Sequence, residues 1–131
     1  MEIQTKVLPL GKTGGLYSII SKEITGDGGV FHLRLNLECI IYKAHFPEQP
    51  ITPGVCITQI AVELAEIIVG HNLQMIGIKN VKFLSILTPA TQTEVTYDIT
   101  IKSSDDKETR IQAVAQSDDV VYAKMSLICK R

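Results

Sequence analysis

The sequence carries almost no net charge. Among its 131 residues, 13 Lys and Arg stand against 14 Asp and Glu, which gives a formal net charge of -1. A protein that binds nucleic acid through the backbone phosphates is expected to have a clustered basic excess. We therefore predict that no nucleic acid is among the partners of this chain.

Cysteine is scarce, and its spacing is not that of a metal site. The three cysteines are Cys39, Cys56 and Cys129, and no two of them lie at the separation that metal ligands need. Each stands among apolar neighbours. The sequence therefore predicts three buried thiols in a reducing compartment, and no metal centre.

Long apolar runs are missing as well. No stretch has the length that spans a bilayer, and no apolar segment near the start resembles a secretory signal. The default expectation is a cytoplasmic protein without membrane contact. Because no repeat, low-complexity stretch or linker divides the chain, residues 1–131 are predicted to form a single domain around one apolar core.

The sequence does contain an ordered set of strand and helix signals. After a glycine-rich loop at 11–15, two strands at 16–24 and 30–37 flank a Gly-Asp-Gly-Gly turn and predict a hairpin. A loop at 46–54 leads into an apolar helix from Val55 to about Val69, with Gly70 as its C-cap. Four more strands are predicted at 75–87, 93–101, 109–115 and 120–129. One helix among six strands favours an antiparallel sheet packed on that helix, an α+β fold.

The loop before the helix has the features of a binding site. Prolines at 47, 50 and 53 stiffen it, and Gly54 allows a ligand to approach its backbone. The first amides of the following helix are unpaired and carry partial positive charge, so they can polarise a carbonyl. His45 can act as a base near neutral pH. The alternative is a proline-rich turn with an incidental histidine.

The string His-Phe-Pro-x-x-Pro-x-x-Pro-Gly-Val, which begins at His45, resembles a family signature. It is the signature of the bacterial dehydratases that act on 3-hydroxyacyl groups held by acyl carrier protein in fatty-acid synthesis. The resemblance covers about residues 26–131 and includes the segments 78–83 and 120–131. It implies a hot-dog fold, which is an antiparallel sheet wrapped around one long central helix, and no metal or organic cofactor. It also implies a homodimer, or a higher assembly of dimers, with sites at the subunit interface.

The resemblance assigns roles to five residues. His45 would remove the α-proton of a 3-hydroxyacyl thioester. The amide of Gly54, helped by that of Val55, would bind the thioester carbonyl as the enolate forms. Phe46 and Pro53 would line the substrate site. The substrate chain would enter an apolar tunnel beside the helix.

The sequence departs from the family at the second catalytic position. The family carries a carboxylate five residues after the motif glycine, where this chain has Gln59, and Glu63 follows one turn later. An amide is no general acid, although it can hydrogen-bond a hydroxyl. Three interpretations stay open: Glu63 supplies the acid, the reaction proceeds without a carboxylate at a lower rate, or the chain binds acyl groups without dehydrating them. Alternatively, Gln59, Glu63 and Glu66 form only the solvated stripe of the helix.

Several other residues have expected roles. In the family, the strand after the helix carries several basic residues that contact the acidic acyl carrier protein. This chain has Lys79 and Lys82 there, but Leu84 and Ser85 occupy positions where more charge is expected. Acyl carrier protein is therefore the expected partner, and another carrier of the acyl group is the alternative. Three residues are expected to be structural or exposed: His32 and His71 at the surface, and Cys56 in the packing. Tyr42, like Phe46, is expected either to line the tunnel or to belong to the core.

The leading hypothesis is an enzyme that dehydrates a 3-hydroxyacyl thioester to the trans-2-enoyl thioester, in the synthesis of fatty acids or related lipids or polyketides. His45 is the base, Gly54 the oxyanion donor, and Gln59 or Glu63 lies near the hydroxyl. The rival hypothesis is a hot-dog protein that binds acyl thioesters without turnover, motivated by Gln59. A hot-dog thioesterase is a third possibility, although the histidine loop argues against it.

Overall fold

The computed structural model describes residues 15–131, so most of the loop expected at 11–15 lies outside the described residues. These residues form one six-stranded antiparallel sheet with the strand order β1-β2-β4-β5-β6-β3, and two helices. In chain order the elements are β1 (Tyr17–Thr25), β2 (Gly28–Leu35), α1 (Ile40–Ala44), α2 (Gly54–Val69), β3 (Gln74–Phe83), β4 (Glu94–Ser104), β5 (Thr109–Ser117) and β6 (Val120–Lys130).

The predicted hairpin is confirmed. Strands β1 and β2 pair antiparallel, from Tyr17 opposite Leu35 to Thr25 opposite Gly28. Gly26 adopts a φ of 57° in the turn, a left-handed conformation that costs glycine little. On β2, buried and exposed residues alternate, because successive side chains of a strand point to opposite faces of the sheet.

Helix α2 is the centre of the core. It packs against β2 to β6, and its apolar side chains meet the inner face of the sheet. Ile60, Ala61, Leu64 and Ala65 have no exposed surface. Burial of a side chain as large as leucine contributes about 1.5–3 kcal/mol, so this nearly all-apolar sequence stabilises the fold only in a central position. Gly70 ends the helix at a φ of 81°, and its N–H donates to the carbonyl of Glu66, which confirms the predicted C-cap.

Two features of the middle of the chain differ from the prediction. Strand β3 ends at Phe83, not at 87, because the next residues leave the ladder: the amides of Leu84 and Ser85 both donate to the carbonyl of Tyr122. The chain then passes the proline-rich loop, where the amide of Thr52 donates to the carbonyl of Leu87 at 2.8 Å. The short helix α1 was not predicted, since five residues are too few to display a helical period.

Within residues 15–131, no helix has both the length and the apolar character that crossing a bilayer requires. The two strands at the edges of the sheet are β1 and β3.

Candidate active site

The histidine loop is held at both ends by backbone hydrogen bonds. At its start, the amide of His45 donates to the carbonyl of Ile41 at 3.0 Å. The carbonyl of His45 accepts from the amide of Ile51 at 2.9 Å, which closes the loop on itself. Inside the loop, the amides and carbonyls of Phe46 and Gln49 pair with each other. Together with three prolines, these bonds fix the backbone that carries the histidine.

Helix α1 anchors the loop to the core through Tyr42. The Tyr42 side chain is buried, and its hydroxyl lies 2.8 Å from the hydroxyl of Thr52, which is also buried. Burial raises the pKa of Tyr42 to about 12, although the hydrogen bond with Thr52 acts in the opposite direction. Tyr42 therefore belongs to the core, one of the two roles expected for it.

The rings of His45 and Phe46 stack on each other. Their centroids are 4.2 Å apart with an interplanar angle of 24°, and the peptide bond between the two residues is cis. His45 is half-buried, and Phe46 is 50% exposed. The imidazole is thus oriented by an aromatic neighbour and remains accessible.

The first turn of α2 contains two amides that have no acceptor in the described part of the chain. Pro53 is the N-cap, and its carbonyl accepts from the amides of Cys56 at 2.9 Å and Ile57 at 3.0 Å. The amides of Gly54 and Val55 find no acceptor among residues 15–131. Unpaired amides at a helix start are donors that point along the helix axis, where partial positive charge accumulates. They can therefore bind a carbonyl oxygen or an oxyanion.

Gly54 lies against an aromatic ring. A Cβ atom placed on Gly54 would meet the ring of Phe83 at 2.8 Å, closer than carbon atoms approach in proteins. Glycine is therefore the residue that fits here while Phe83 keeps its position at the end of β3. Phe83 itself is exposed, so the ring covers the helix start from the outside.

A buried polar cluster lies farther along α2. The hydroxyl of Tyr17 donates to Oε1 of Glu63 at 2.8 Å, and Nε2 of Gln59 donates to Oε2 of Glu63 at 3.1 Å. Glu63 is only 8% exposed and Gln59 is half-buried. The interpretation of Glu63 as part of a solvated stripe is therefore wrong, because Tyr17 covers it from β1.

Tyr17 is the member of this cluster that sequence reasoning missed. It is 46 residues from Glu63 in the chain, and a tyrosine in a strand is ordinarily read as core packing. Burial, and next the nearby Glu63, raise the pKa of Tyr17 well above its ordinary value. Its hydroxyl therefore keeps its proton and remains a hydrogen-bond donor. No local sequence signal marks this residue.

Glu66 has a different task from Glu63. Its carboxylate accepts a hydrogen bond from the amide of Leu73 at 2.8 Å, and it is half-buried. It thereby ties the end of α2 to the segment before β3. Glu66 also lies near enough to Tyr17 to contribute to the raised pKa of that residue.

The remaining expectations concern histidines and cysteines. His32 is exposed as predicted, with Nδ1 2.9 Å from the hydroxyl of Thr96, and His71 is partly exposed. All three cysteines are buried thiols, as predicted. Burial, then the neighbours Cys39 and Glu63, raise the pKa of Cys56, so this thiol stays protonated and is a packing residue, not a nucleophile. Within the described part of the chain, no group of three or more His, Cys, Asp or Glu could hold a metal ion.

The predicted site residues thus fall into two groups. His45, Phe46, Pro53, Gly54 and Val55 lie in one continuous stretch of loop and helix start. The second group is the polar cluster of Gln59 and Glu63. Within residues 15–131, the His45 side chain makes no hydrogen bond to either member of that cluster.

A six-stranded antiparallel sheet packed on one long helix defines an α+β hot-dog fold, as predicted. The sequence matches the family of ApeI-like dehydratases over residues 21–125. Since this match spans most of the chain, the protein belongs to that family. Comparison with curated proteins gives no match.

Solved structures resemble this chain in fold. The dehydratase heterocomplex ApeI:P from Xenorhabdus doucetiae is similar with a TM-score of 0.69 and 19% identity, over 86% of this chain and 96% of that chain. A virulence protein from Campylobacter jejuni gives 0.66 and 14%, over 91% and 78% of the two chains. A hypothetical thioesterase with coenzyme A from Streptococcus pneumoniae gives 0.63 and 7%, over 86% and 83%.

Proposed function

We propose that this protein dehydrates a 3-hydroxyacyl thioester to the trans-2-enoyl thioester. The observation that carries the proposal is one continuous stretch in which an anchored, accessible His45 is followed by the two unpaired amides of Gly54 and Val55. A base and an oxyanion site are the two components needed to remove a proton next to a thioester carbonyl. Membership in a dehydratase family supports the same reaction.

The proposed reaction balances with groups of this chain. Neutral His45 takes the α-proton, and the amides of Gly54 and Val55 bind the thioester oxygen as it gains negative charge. The imidazolium then returns the proton to the departing hydroxyl. Water leaves as the double bond between carbons 2 and 3 forms. The ring of Phe46 and the backbone at Pro53 line the same stretch and contact the acyl thioester.

Gln59 is the residue proposed to contact the 3-hydroxyl. The carbon that carries the 3-hydroxyl is only two bonds from the thioester carbonyl. The residue that contacts this hydroxyl must therefore lie near Gly54. At 1.5 Å per residue, Gln59 lies about 7.5 Å along the helix from Gly54, and Glu63 lies about 13.5 Å away. Helical side chains tilt toward the N-terminus, which lets Glu63 reach Gln59 rather than the hydroxyl. Glu63 as a direct acid is the alternative that substitution distinguishes.

A second subunit is proposed at the β3 edge of the sheet. Within residues 15–131, strand β3 pairs on one side only, with β6, and it exposes Ile76, Ile78 and Phe83, the last of which lies against Gly54. An open edge with large apolar side chains favours pairing with another chain. Val55, which is 64% exposed at the helix start, would be covered by the same partner. A homodimer is the assembly proposed, and the similar structure from Xenorhabdus doucetiae, a dehydratase heterocomplex, supports a partner subunit.

The acyl group is proposed to arrive on a carrier protein. Lys79 and Lys82 are exposed on β3, the strand whose last residue, Phe83, lies against Gly54 at the start of α2. Two exposed cations can attract an acidic carrier protein. The pathway proposed is the synthesis of fatty acids or related lipids or polyketides. The three buried cysteine thiols support a reducing compartment such as the cytoplasm.

The test is hydration of a trans-2-enoyl thioester, the reverse reaction, followed by loss of the enoyl absorbance. We expect wild-type protein to consume the substrate and His45→Ala to slow the reaction at least about 100-fold. His32→Ala is the matched control, since that histidine is exposed on β2 and hydrogen-bonded to Thr96. Near-normal turnover by His45→Ala contradicts the mechanism.

The second candidate is an acyl-thioester-binding protein without turnover. The observation that favours it is Gln59, which stands where the resemblance to the fatty-acid dehydratases implies a carboxylate. The same assay separates the two functions. Binding of the enoyl thioester without loss of absorbance would identify a binding protein. Release of free thiol would instead identify the third alternative, a thioesterase.

A further inference from the structure

Gln59 is held in one orientation by Glu63. A glutamine amide has two N–H donors and one carbonyl acceptor, and on a solvated helix it rotates freely. Here Nε2 donates one hydrogen to Oε2 of Glu63 at 3.1 Å. The second N–H and the carbonyl oxygen of Gln59 make no other hydrogen bond within residues 15–131. An amide in a fixed orientation can recognise a hydroxyl group with less loss of conformational entropy on binding.

Glu63 is in turn held by Tyr17. The Tyr17 side chain is buried on β1, and its hydroxyl donates to Oε1 of Glu63 at 2.8 Å. A tyrosine ring has only two rotatable side-chain bonds and is packed in the core, so it is a rigid support for a longer carboxylate. Because its pKa is raised, the hydroxyl stays protonated and continues to donate.

Two acidic residues act electrostatically in and around the cluster. Glu66 acts electrostatically on Tyr17, and Glu63 acts on the thiol of Cys56. The contacts that join Tyr17 to Glu63 and Glu63 to Gln59 are both hydrogen bonds between side chains.

We propose that Tyr17 is a positioning residue: through Glu63, it fixes the amide of Gln59 so that this amide contacts the 3-hydroxyl of the acyl group. The inference rests on the proposed function for the identity of the ligand. It makes Tyr17 a determinant of the preference for a 3-hydroxyacyl group over the same acyl group without the hydroxyl. Tyr17 itself touches no reacting atom.

The experiment measures binding, so that it does not depend on turnover. The probes are 3-hydroxyoctanoyl pantetheine amide and octanoyl pantetheine amide, in which the amide replaces the reactive thioester. Dissociation constants are measured for the wild type, Tyr17→Phe, Gln59→Ala and the double variant. We expect the wild type to prefer the hydroxy compound by about three- to tenfold, the range of one hydrogen bond, and each single variant to lose most of that preference.

The double variant separates positioning from a structural role. If Tyr17 acts through Gln59, then Tyr17→Phe has no further effect on the preference once Gln59 is alanine. Equal losses of affinity for both compounds in Tyr17→Phe, or losses that multiply in the double variant, would overturn the inference. So would a wild type that binds both compounds equally, or neither of them.

Tyr97→Phe is the matched control for folding. Tyr97 is also a buried tyrosine whose hydroxyl donates to α2, in this case to the carbonyl of Ile57 at 3.0 Å. It should lower stability without changing the hydroxyl preference. Loss of the preference in Tyr97→Phe would count against the inference. Wild-type turnover that depends on His45, without a preference for the hydroxy compound, would uphold the proposed function and refute this inference. A preference for the hydroxy compound without turnover would uphold this inference and refute the proposed dehydration.

Discussion

The start and the middle of helix α2 are built by different means. At the start, the amides of Gly54 and Val55 are presented by the loop that immediately precedes them. In the middle, the side chains of Gln59 and Glu63 are held by hydrogen bonds that include Tyr17, which precedes Glu63 by 46 residues in the sequence. The first arrangement is encoded in one short string, whereas the second exists only after β1 has paired with the sheet. A site of this kind therefore has one part that sequence specifies locally and one part that the fold assembles.

The largest effect is expected from removal of an amide at the helix start. Proline at position 54 lacks the N–H but suits the first helical position, and Pro53 has φ -61° and ψ 145°, the conformation required before a proline. We expect Gly54→Pro to lower kcat about 100- to 1000-fold relative to Gly54→Ala, because it removes one of the two proposed oxyanion donors. The measurement is steady-state hydration of the enoyl thioester.

Gly54→Ala is the control because both variants add the Cβ that meets Phe83. Phe83→Ala should relieve that contact and restore part of the activity of Gly54→Ala. It should not restore Gly54→Pro, since the amide is still missing. Similar activities for the alanine and proline variants would show that the amide of Gly54 has no role in the reaction.

In the middle of the helix, a change of charge is expected to disturb the cluster. Gln59→Glu places a second carboxylate at hydrogen-bond distance from Glu63, and two carboxylates in contact cannot both ionise easily. We expect a loss of about 1–3 kcal/mol in the free energy of unfolding, measured by urea denaturation at pH 7. The exchange variant Gln59→Glu/Glu63→Gln should recover most of that loss, because one carboxylate and one amide face each other again.

The same variants test which residue gives the proton to the hydroxyl. Glu63→Gln retains groups that can hydrogen-bond to Tyr17 and Gln59 but removes the carboxyl group. If Glu63 supports Gln59, its activity should fall by no more than about tenfold. A loss as large as that of His45→Ala would make Glu63 the acid. Faster dehydration by Gln59→Glu than by the wild type would favour the binding protein as the native function.

The difference between the start and the middle of α2 also explains which features could be predicted from the sequence. The hairpin, the position of α2 and the Gly70 cap could be predicted because local patterns of apolar residues and glycine specify them. The string at His45 could be found because loop and helix start are contiguous. The burial of Glu63 could not be predicted, because its position on one face of the helix with Gln59 and Glu66 does not reveal that Tyr17 covers it. Helix α1 could not be predicted because five residues are too few to display a helical period. The early end of β3 depends on hydrogen bonds from Leu84 and Ser85 to the distant carbonyl of Tyr122, which leave no period in the sequence.

A smaller effect is expected at the anchor of the histidine loop. Tyr42→Phe removes the hydrogen bond with Thr52, which is buried and joins α1 to the end of the loop. We expect the free energy of unfolding to fall by about 0.5–1.5 kcal/mol, with kcat reduced severalfold at most. Tyr97→Phe should lower stability by a similar amount and leave kcat unchanged, because the hydrogen bond from Tyr97 to the carbonyl of Ile57 joins β4 to α2 and does not involve the histidine loop. Equal losses of kcat would mean that the anchor has no special relation to His45.

The smallest effect concerns Cys56, which lies between the two regions and is influenced by Glu63. Burial raises the pKa of this thiol in the folded protein above its ordinary value of 9.0, so the folded chain retains a proton that the unfolded chain releases. Its contribution to stability is therefore complete below pH 9 and is lost as the pH rises through the raised pKa. We expect stability to fall between pH 7 and pH 10, and to fall less in Cys56→Ala, when both are measured by urea denaturation. Identical pH dependence in the two proteins would mean that the Cys56 thiol ionises as easily in the folded chain as in the unfolded one.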